Sequence, residues 1–263
     1  MTIISSIVLG IIEGVTEFLP ISSTGHMILV SGLLKLSQTD FLKSFEIIIQ
    51  LGAILAVVAL YWRKFTNWEV LKKVIVAFIP TGIIGLIVYK ILKQYLLGNS
   101  WVVLEALFLG GIILIIFEIW LKKKELGGET SKLGGIEKIS YRQAVGLGLF
   151  QSVAIIPGVS RSAATIIGGL ALKIKREIIV EFSFLLAVPT MMAATGLDLL
   201  KNSSSFSVSE IGLLLTGFCV SFIVAILAIR FFIAYIQKHN FIAFGIYRIA
   251  LAIIFAGWLW FVT

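Results

Sequence analysis

Charge is scarce in this chain and cysteine nearly absent, and each shortage excludes something. Asp, Glu, Lys and Arg make up 14% of the 263 residues, against 59% hydrophobic residues and a mean hydropathy of +1.06. Soluble domains carry about 25% charged and roughly 45–50% apolar residues, so this composition excludes that class. The single cysteine, Cys219, lies in an apolar run. It can form no intrachain disulfide, and its setting argues against thiol or metal chemistry. The first residues lack a basic leader and a small-residue cleavage site, and their apolar run contains Glu13 and Glu17. A removable signal peptide is therefore not expected. The net charge of +8 arises from Lys and Arg in short loops between apolar runs. Such residues set membrane topology, and nucleic acid is not an expected partner.

What is present is hydrophobic length. Apolar runs near 20 residues, enough to cross about 30 Å of hydrocarbon, predict spans at 45–62, 74–92, 101–121, 178–200, 210–236 and 241–262. Two regions do not fit. Residues 2–19 meet Pro20-Ile21-Ser22-Ser23-Thr24-Gly25-His26, and residues 143–156 meet Pro157-Gly158-Val159-Ser160-Arg161-Ser162. The apolar stretches after these breaks are too short to cross. Each region is read as a re-entrant helix-loop-helix, a form tolerated only inside protein or against a water-filled cavity.

The two regions belong to an internal repeat. Ser22 matches Ser160, Glu13 falls opposite Gln151, Phe45 aligns near Phe182, and Thr81-Gly82 near Thr216-Gly217. The expected fold is an all-α integral membrane domain over 1–263. Each half, 1–121 and 142–263, holds a re-entrant pair plus three transmembrane helices. Three crossings per half invert the second copy relative to the first. A polar segment at 122–141, with Gly127-Gly128 and Gly134-Gly135, reads as a flexible cytoplasmic linker. Under this count Arg63, Lys64, Lys72, Lys73, Lys122, Lys123, Lys124, Arg142 and Arg176 share the cytoplasmic side and both termini lie outside. The two re-entrant loops then enter from opposite faces and meet.

Glu13 and Glu17 are one helical turn apart, so a helix carries both carboxylates on one face. In an apolar setting they need compensation from a divalent cation, an arginine or a shared proton. The bland alternative is that they only tie helices together. Ser22, Ser23 and Thr24 are good N-caps, but a helix starting inside the membrane also turns free N–H groups toward an anion. Gly25 would allow close backbone approach, and His26 is within reach of Ser23. Arg161, flanked by Ser160, Ser162 and Thr165, offers bidentate donors and hydroxyls suited to phosphate. Pooled, these groups supply the nucleophile, proton acceptor and positive charge that phosphoryl transfer needs. Glu46 and Gln50 are expected to extend the site. Asp198 is a cap or outer group, and Arg248 a partner for lipid headgroups or an acidic neighbour. Gly82, Gly85, Gly110 and Gly111 are assigned to close helix packing.

The stretches Glu13-Gly14-Val15-Thr16-Glu17-Phe18-Leu19-Pro20-Ile21-Ser22-Ser23-Thr24-Gly25-His26 and Pro157-Gly158-Val159-Ser160-Arg161-Ser162-Ala163-Ala164-Thr165 resemble the two signatures of the undecaprenyl-diphosphate phosphatase family, also called bacitracin-resistance protein BacA. Blocks around Phe45-Glu46 and Glu181–Pro189 are similar to further family segments. The resemblance implies removal of the terminal phosphate of undecaprenyl diphosphate at the outer face of the bacterial cytoplasmic membrane. The monophosphate carrier then returns to envelope-polymer synthesis, and the activity opposes bacitracin. It also implies an inverted-repeat fold, frequent homodimers and dependence on a divalent cation. Its roles fall on Glu17, Ser23, His26 and Arg161, supported by Glu13, Ser160, Ser162 and Thr165. Ser23 is the expected nucleophile with Glu17 or His26 as base, His26 being an alternative nucleophile. Glu13 and Glu17 could instead bind Mg²⁺ or Ca²⁺. A transporter or flippase of a polyprenyl phosphate lipid is the rival class, since inverted repeats and broken helices are common there.

Overall fold

A computed structural model describes residues 1–91, 100–126, 135–201 and 208–262, and every helix and strand assignment among them is helical. Six helices are long and apolar enough to cross a membrane: α3 (Asp40–Phe65), α4 (Trp68–Ile91), α5 (Ser100–Leu126), α8 (Arg176–Lys201), α9 (Val208–Ile236) and α10 (Ile242–Val262). They coincide with the six predicted spans. Two begin more than one helical turn earlier than expected, because α3 starts on a polar turn capped by the Thr39 hydroxyl and α4 on Trp68-Glu69. Apolar residues such as Leu86, Ile254, Trp260 and Phe261 point outward, as lipid contact requires. The chain is a multi-pass, all-helical membrane protein.

Four shorter helices fill the places where the sequence breaks: α1 (Ile3–Thr16), α2 (Ser23–Leu33), α6 (Tyr141–Ser152) and α7 (Arg161–Ala171). At about 1.5 Å per residue none reaches the roughly 30 Å of a hydrocarbon core. Four non-glycine residues have positive φ, and they fall in two pairs. Ser22 (φ 71°) and Ser160 (φ 76°) are the N-caps of α2 and α7, and Lys35 (φ 51°) and Lys173 (φ 63°) follow their C-termini. After α2, Leu36 N–H donates to the Ser31 carbonyl and Lys35 N–H to Gly32. After α7, Ile174 donates to Gly169 and Lys173 to Leu170. Both helices therefore close with the same Schellman motif, with lysine where glycine is usual.

The helix that precedes each break rests on a long helix from the opposite part of the chain. Helix α1 packs on α9 and α6 on α4, while α3 lies against α9 and α8, and α5 pairs with α10. Small residues permit this. A Cβ at Gly14 would stand 2.7 Å from the Ser221 carbonyl oxygen, and one at Gly10 2.7 Å from that of Gly217. Ser6 donates to the Leu213 carbonyl at 2.7 Å, and Thr81 to that of Gly148 at 2.8 Å. Gly14→Val is expected to cost about 1–3 kcal/mol of stability by overpacking this seam. It should lower the thermal midpoint in detergent, whereas Ile11→Leu on the exposed side of α1 should leave it unchanged.

The polar segment at 122–141 differs from a loose linker where it is described. Helix α5 continues to Leu126, residues 127–134 lie outside the described set, and Ile136 and Ile139 are buried. Lys73 donates to the Glu137 carbonyl, and Lys64 bridges Glu137 (3.9 Å) and Glu181 (3.6 Å). Two apolar anchors and buried polar contacts dock residues 135–140 on the bundle.

Candidate active site

The breaks after α1 and after the 3-10 turn Val153–Ile155 bring the starts of α2 and α7 to one cavity of about 500 Å³. Its polar wall holds Glu17, Ser22, Ser23, Thr24, Gln50, Ser160 and Arg161. Its other wall includes Phe78, Leu86, Ile155, Ile156 and Met191, with Gly82 and Gly85 between them. Those two glycines shape the cavity, a correction to their expected role in helix packing.

Ser23 is the first residue of α2, and its hydroxyl donates to Glu17 Oε2 at 2.5 Å. The other Glu17 oxygen accepts from Arg161 Nη2 at 2.9 Å. Arg161 Nη1 donates to the Ser183 carbonyl at 2.7 Å, which fixes the guanidinium, and the Phe18 ring lies 5.8 Å away. Among the described residues Arg161 Nε has no hydrogen-bond partner, and it is buried. Of the first-turn residues, Ser23 and Thr24 of α2 and Arg161 of α7 line the same cavity, and their N–H groups have no intrahelical acceptor. Serine, carboxylate and guanidinium thus form one chain across the two broken regions.

Other expected members sit elsewhere. The Gly25 N–H donates to Ser22 Oγ, and a Cβ there would press on Leu107. Gly25 therefore makes room for α5 and offers its N–H to the cap. Ser162 donates to the Phe18 carbonyl at 2.8 Å, and Thr165 to the Arg161 carbonyl at 3.0 Å. Both are almost fully buried, so they brace the breaks and do not face an anion. His26 is the largest correction. Its Nδ1 lies 2.8 Å from the Ser22 carbonyl and its Nε2 2.7 Å from the Tyr247 hydroxyl. A carbonyl can only accept, so Nδ1 carries the proton and Nε2 accepts from tyrosine. Neither nitrogen is directed at Ser23. Glu46 accepts from Ser31 at 3.0 Å, and of the Glu46–Gln50 pair only Gln50 lines the cavity. The side chain of Asp198 lies outside the described residues.

Two further polar groups take roles that the sequence did not assign to them. Gln151 donates to Thr81 Oγ1 (3.1 Å) and Thr190 Oγ1 (3.0 Å), closing the cavity floor behind Arg161. Arg248, expected to pair with a lipid headgroup or an acidic neighbour, is wholly enclosed and has no acidic partner among the described residues, donating instead to carbonyls of both broken regions. Only the repeat alignment, placing Gln151 opposite Glu13, hinted at the first.

Glu13 is fully buried beside Glu17, and among the described residues neither of its carboxylate oxygens meets a hydrogen-bond donor. Orphaned hard oxygens fit a divalent cation. Among the described residues, no group of three His, Cys, Asp or Glu is placed to hold one. Two carboxylates suffice for ions that take their remaining ligands from water and phosphate oxygens.

The family model described as bacitracin resistance protein BacA matches residues 6–254. The chain is 49% identical to an undecaprenyl-diphosphatase of Aquifex aeolicus over 258 residues, covering 98% of each. It is 53% identical over 256 residues to one from Persephonella marina, covering 97% of this chain and 98% of the relative. A Wolinella succinogenes undecaprenyl-diphosphatase is 50% identical over 260 residues, covering 98% of this chain and 99% of that one.

Proposed function

The chain belongs to the bacitracin resistance protein BacA family, and on that premise we propose that its cavity hydrolyses undecaprenyl diphosphate to undecaprenyl phosphate and inorganic phosphate. This activity returns the carrier lipid to cell-wall synthesis and opposes bacitracin. The observation that carries the assignment to this cavity is the chain Ser23–Glu17–Arg161 on its polar wall. The apolar wall of Phe78, Leu86, Ile155 and Met191 suits an isoprenoid chain.

Ser23 Oγ attacks the terminal phosphorus while its proton passes to Glu17 Oε2. The bond from that phosphorus to the bridging oxygen breaks, and undecaprenyl phosphate leaves. Arg161, through the Nη2 it shares with Glu17, holds the transferring phosphoryl group with the helix N–H groups. Once Glu17 has given that proton to the departing undecaprenyl phosphate, water attacks the phosphoserine; Glu17 takes the water proton and returns it to Ser23 Oγ as inorganic phosphate leaves. Glu13 and Glu17 would hold a Mg²⁺ or Ca²⁺ ion, whose charge would neutralise diphosphate oxygens.

The same reading extends to topology. Four helices too short to cross, matched N-cap and C-cap geometry at Ser22/Ser160 and Lys35/Lys173, and the reciprocal packing of α1 on α9 and α6 on α4 support two re-entrant pairs in inverted halves, 1–121 and 142–263. The loop charges support an inner-membrane protein with its site facing outward. Phosphate release by wild type, Ser23→Ala and Arg161→Ala, with and without a chelator, tests the function. Release only by wild type and only without chelator is expected. Full release by Ser23→Ala would remove the serine mechanism, and silence of the wild type would remove the function.

A further inference from the structure

We infer that Arg248 is a positioning residue for the phosphatase reaction, clamping the two broken loops in the relative placement that aligns Ser23 with Arg161. The inference rests on the function proposed above.

Arg248 is 0% exposed, and among the described residues no acidic side chain pairs with it. A guanidinium buried without a counterion is costly unless every N–H is satisfied. Here every one is, by backbone carbonyls. Nε donates to Leu107 (3.3 Å) and Nη2 to Ala106 (3.0 Å), both on α5. Nη1 donates to Pro20 (3.3 Å) in the first break and Val159 (2.9 Å) in the second, and Nη2 also to Gly158 (3.0 Å). Pro20 lies between Glu17 and Ser23, and Val159 two residues before Arg161. One planar group therefore sets the distance between the nucleophile's loop and the phosphate-holding loop.

The surroundings are built around it. Gly110 on α5 has no side chain, and a Cβ there would collide with the Arg248 guanidinium. Gly158 has φ +93°, and a Cβ on it would stand 2.6 Å from the Val103 carbonyl oxygen. The preceding residue of α10, Tyr247, holds His26 at 2.7 Å, so adjacent residues fix both sides of the first loop. Lysine cannot substitute, since one ammonium has three donors and no fork to span three segments.

The test uses the full chain in detergent with a short, water-soluble diphosphate, farnesyl diphosphate. Arg248→Lys should lower kcat about a hundredfold, the cost of a displacement near 1 Å, with KM changed less than about threefold. Gly110→Ala, which crowds the guanidinium while leaving its charge, should lower kcat in the same way. Added guanidinium ion should recover part of the activity of Arg248→Ala and nothing in Arg161→Ala. Unchanged kcat in folded Arg248→Lys and Gly110→Ala overturns the assignment, as does a KM rise that accounts for the loss. Failure of every Arg248 and Gly110 variant to fold overturns it too, making the residue a folding determinant. Absence of phosphate release by wild type would instead remove the proposed function.

Discussion

Arg161→Ala is expected to lower phosphate release by about a thousandfold or more, the range seen when an arginine that neutralises a transferring phosphoryl group is removed. The side chain stands where that charge is needed, at the start of α7 on the cavity wall. Its loss also deprives Glu17 of the cationic contact 2.9 Å away that holds its carboxylate in place. Arg161→Lys should recover only part of the loss, leaving a deficit of about a hundredfold, since a point charge cannot bridge Ser183, Glu17 and a phosphoryl oxygen together. Steady-state kcat with undecaprenyl diphosphate, alongside thermal midpoints showing intact protein, decides the matter. A loss below tenfold in folded Arg161→Ala would place the phosphoryl group elsewhere.

The sequence made the spans and the two breaks legible because both are written in composition: apolar runs of membrane length, interrupted by proline, serine and glycine. It made Arg161 legible for the same reason, a guanidinium in an apolar neighbourhood being conspicuous. Contacts made by backbone atoms were hidden, since no residue letter marks a carbonyl. Arg248 was therefore given a lipid or acidic partner when its partners are the carbonyls of Pro20, Gly158, Val159, Ala106 and Leu107. Ser162 and Thr165 were placed on phosphate for the same reason, their acceptors being the Phe18 and Arg161 carbonyls. His26 shows a second limit. Closeness in sequence to Ser23 does not fix where a ring points, and this ring turns back to the cap of its own helix and across to Tyr247.

That orientation separates the two candidate nucleophiles by experiment. Ser23→Ala and Glu17→Gln should each reduce kcat about ten-thousandfold, the scale on which members of a nucleophile–base pair fail singly, and the double variant should lose little more. Tyr247→Phe removes the hydroxyl from His26 Nε2 yet leaves its Nδ1 bond to the Ser22 carbonyl, so its cost should stay within about tenfold, the loss of one buried hydrogen bond. The label discriminates further. Substrate carrying radioactive terminal phosphate, quenched in acid during turnover, should yield acid-stable phosphoserine at Ser23. Phosphohistidine survives base and is lost in acid, so counts recovered only after alkaline quenching, at His26, would overturn the serine mechanism. They would also require the ring to release the Tyr247 hydroxyl, because an imidazole whose Nδ1 donates to a carbonyl and whose Nε2 accepts from a phenol has no lone pair free to attack phosphorus.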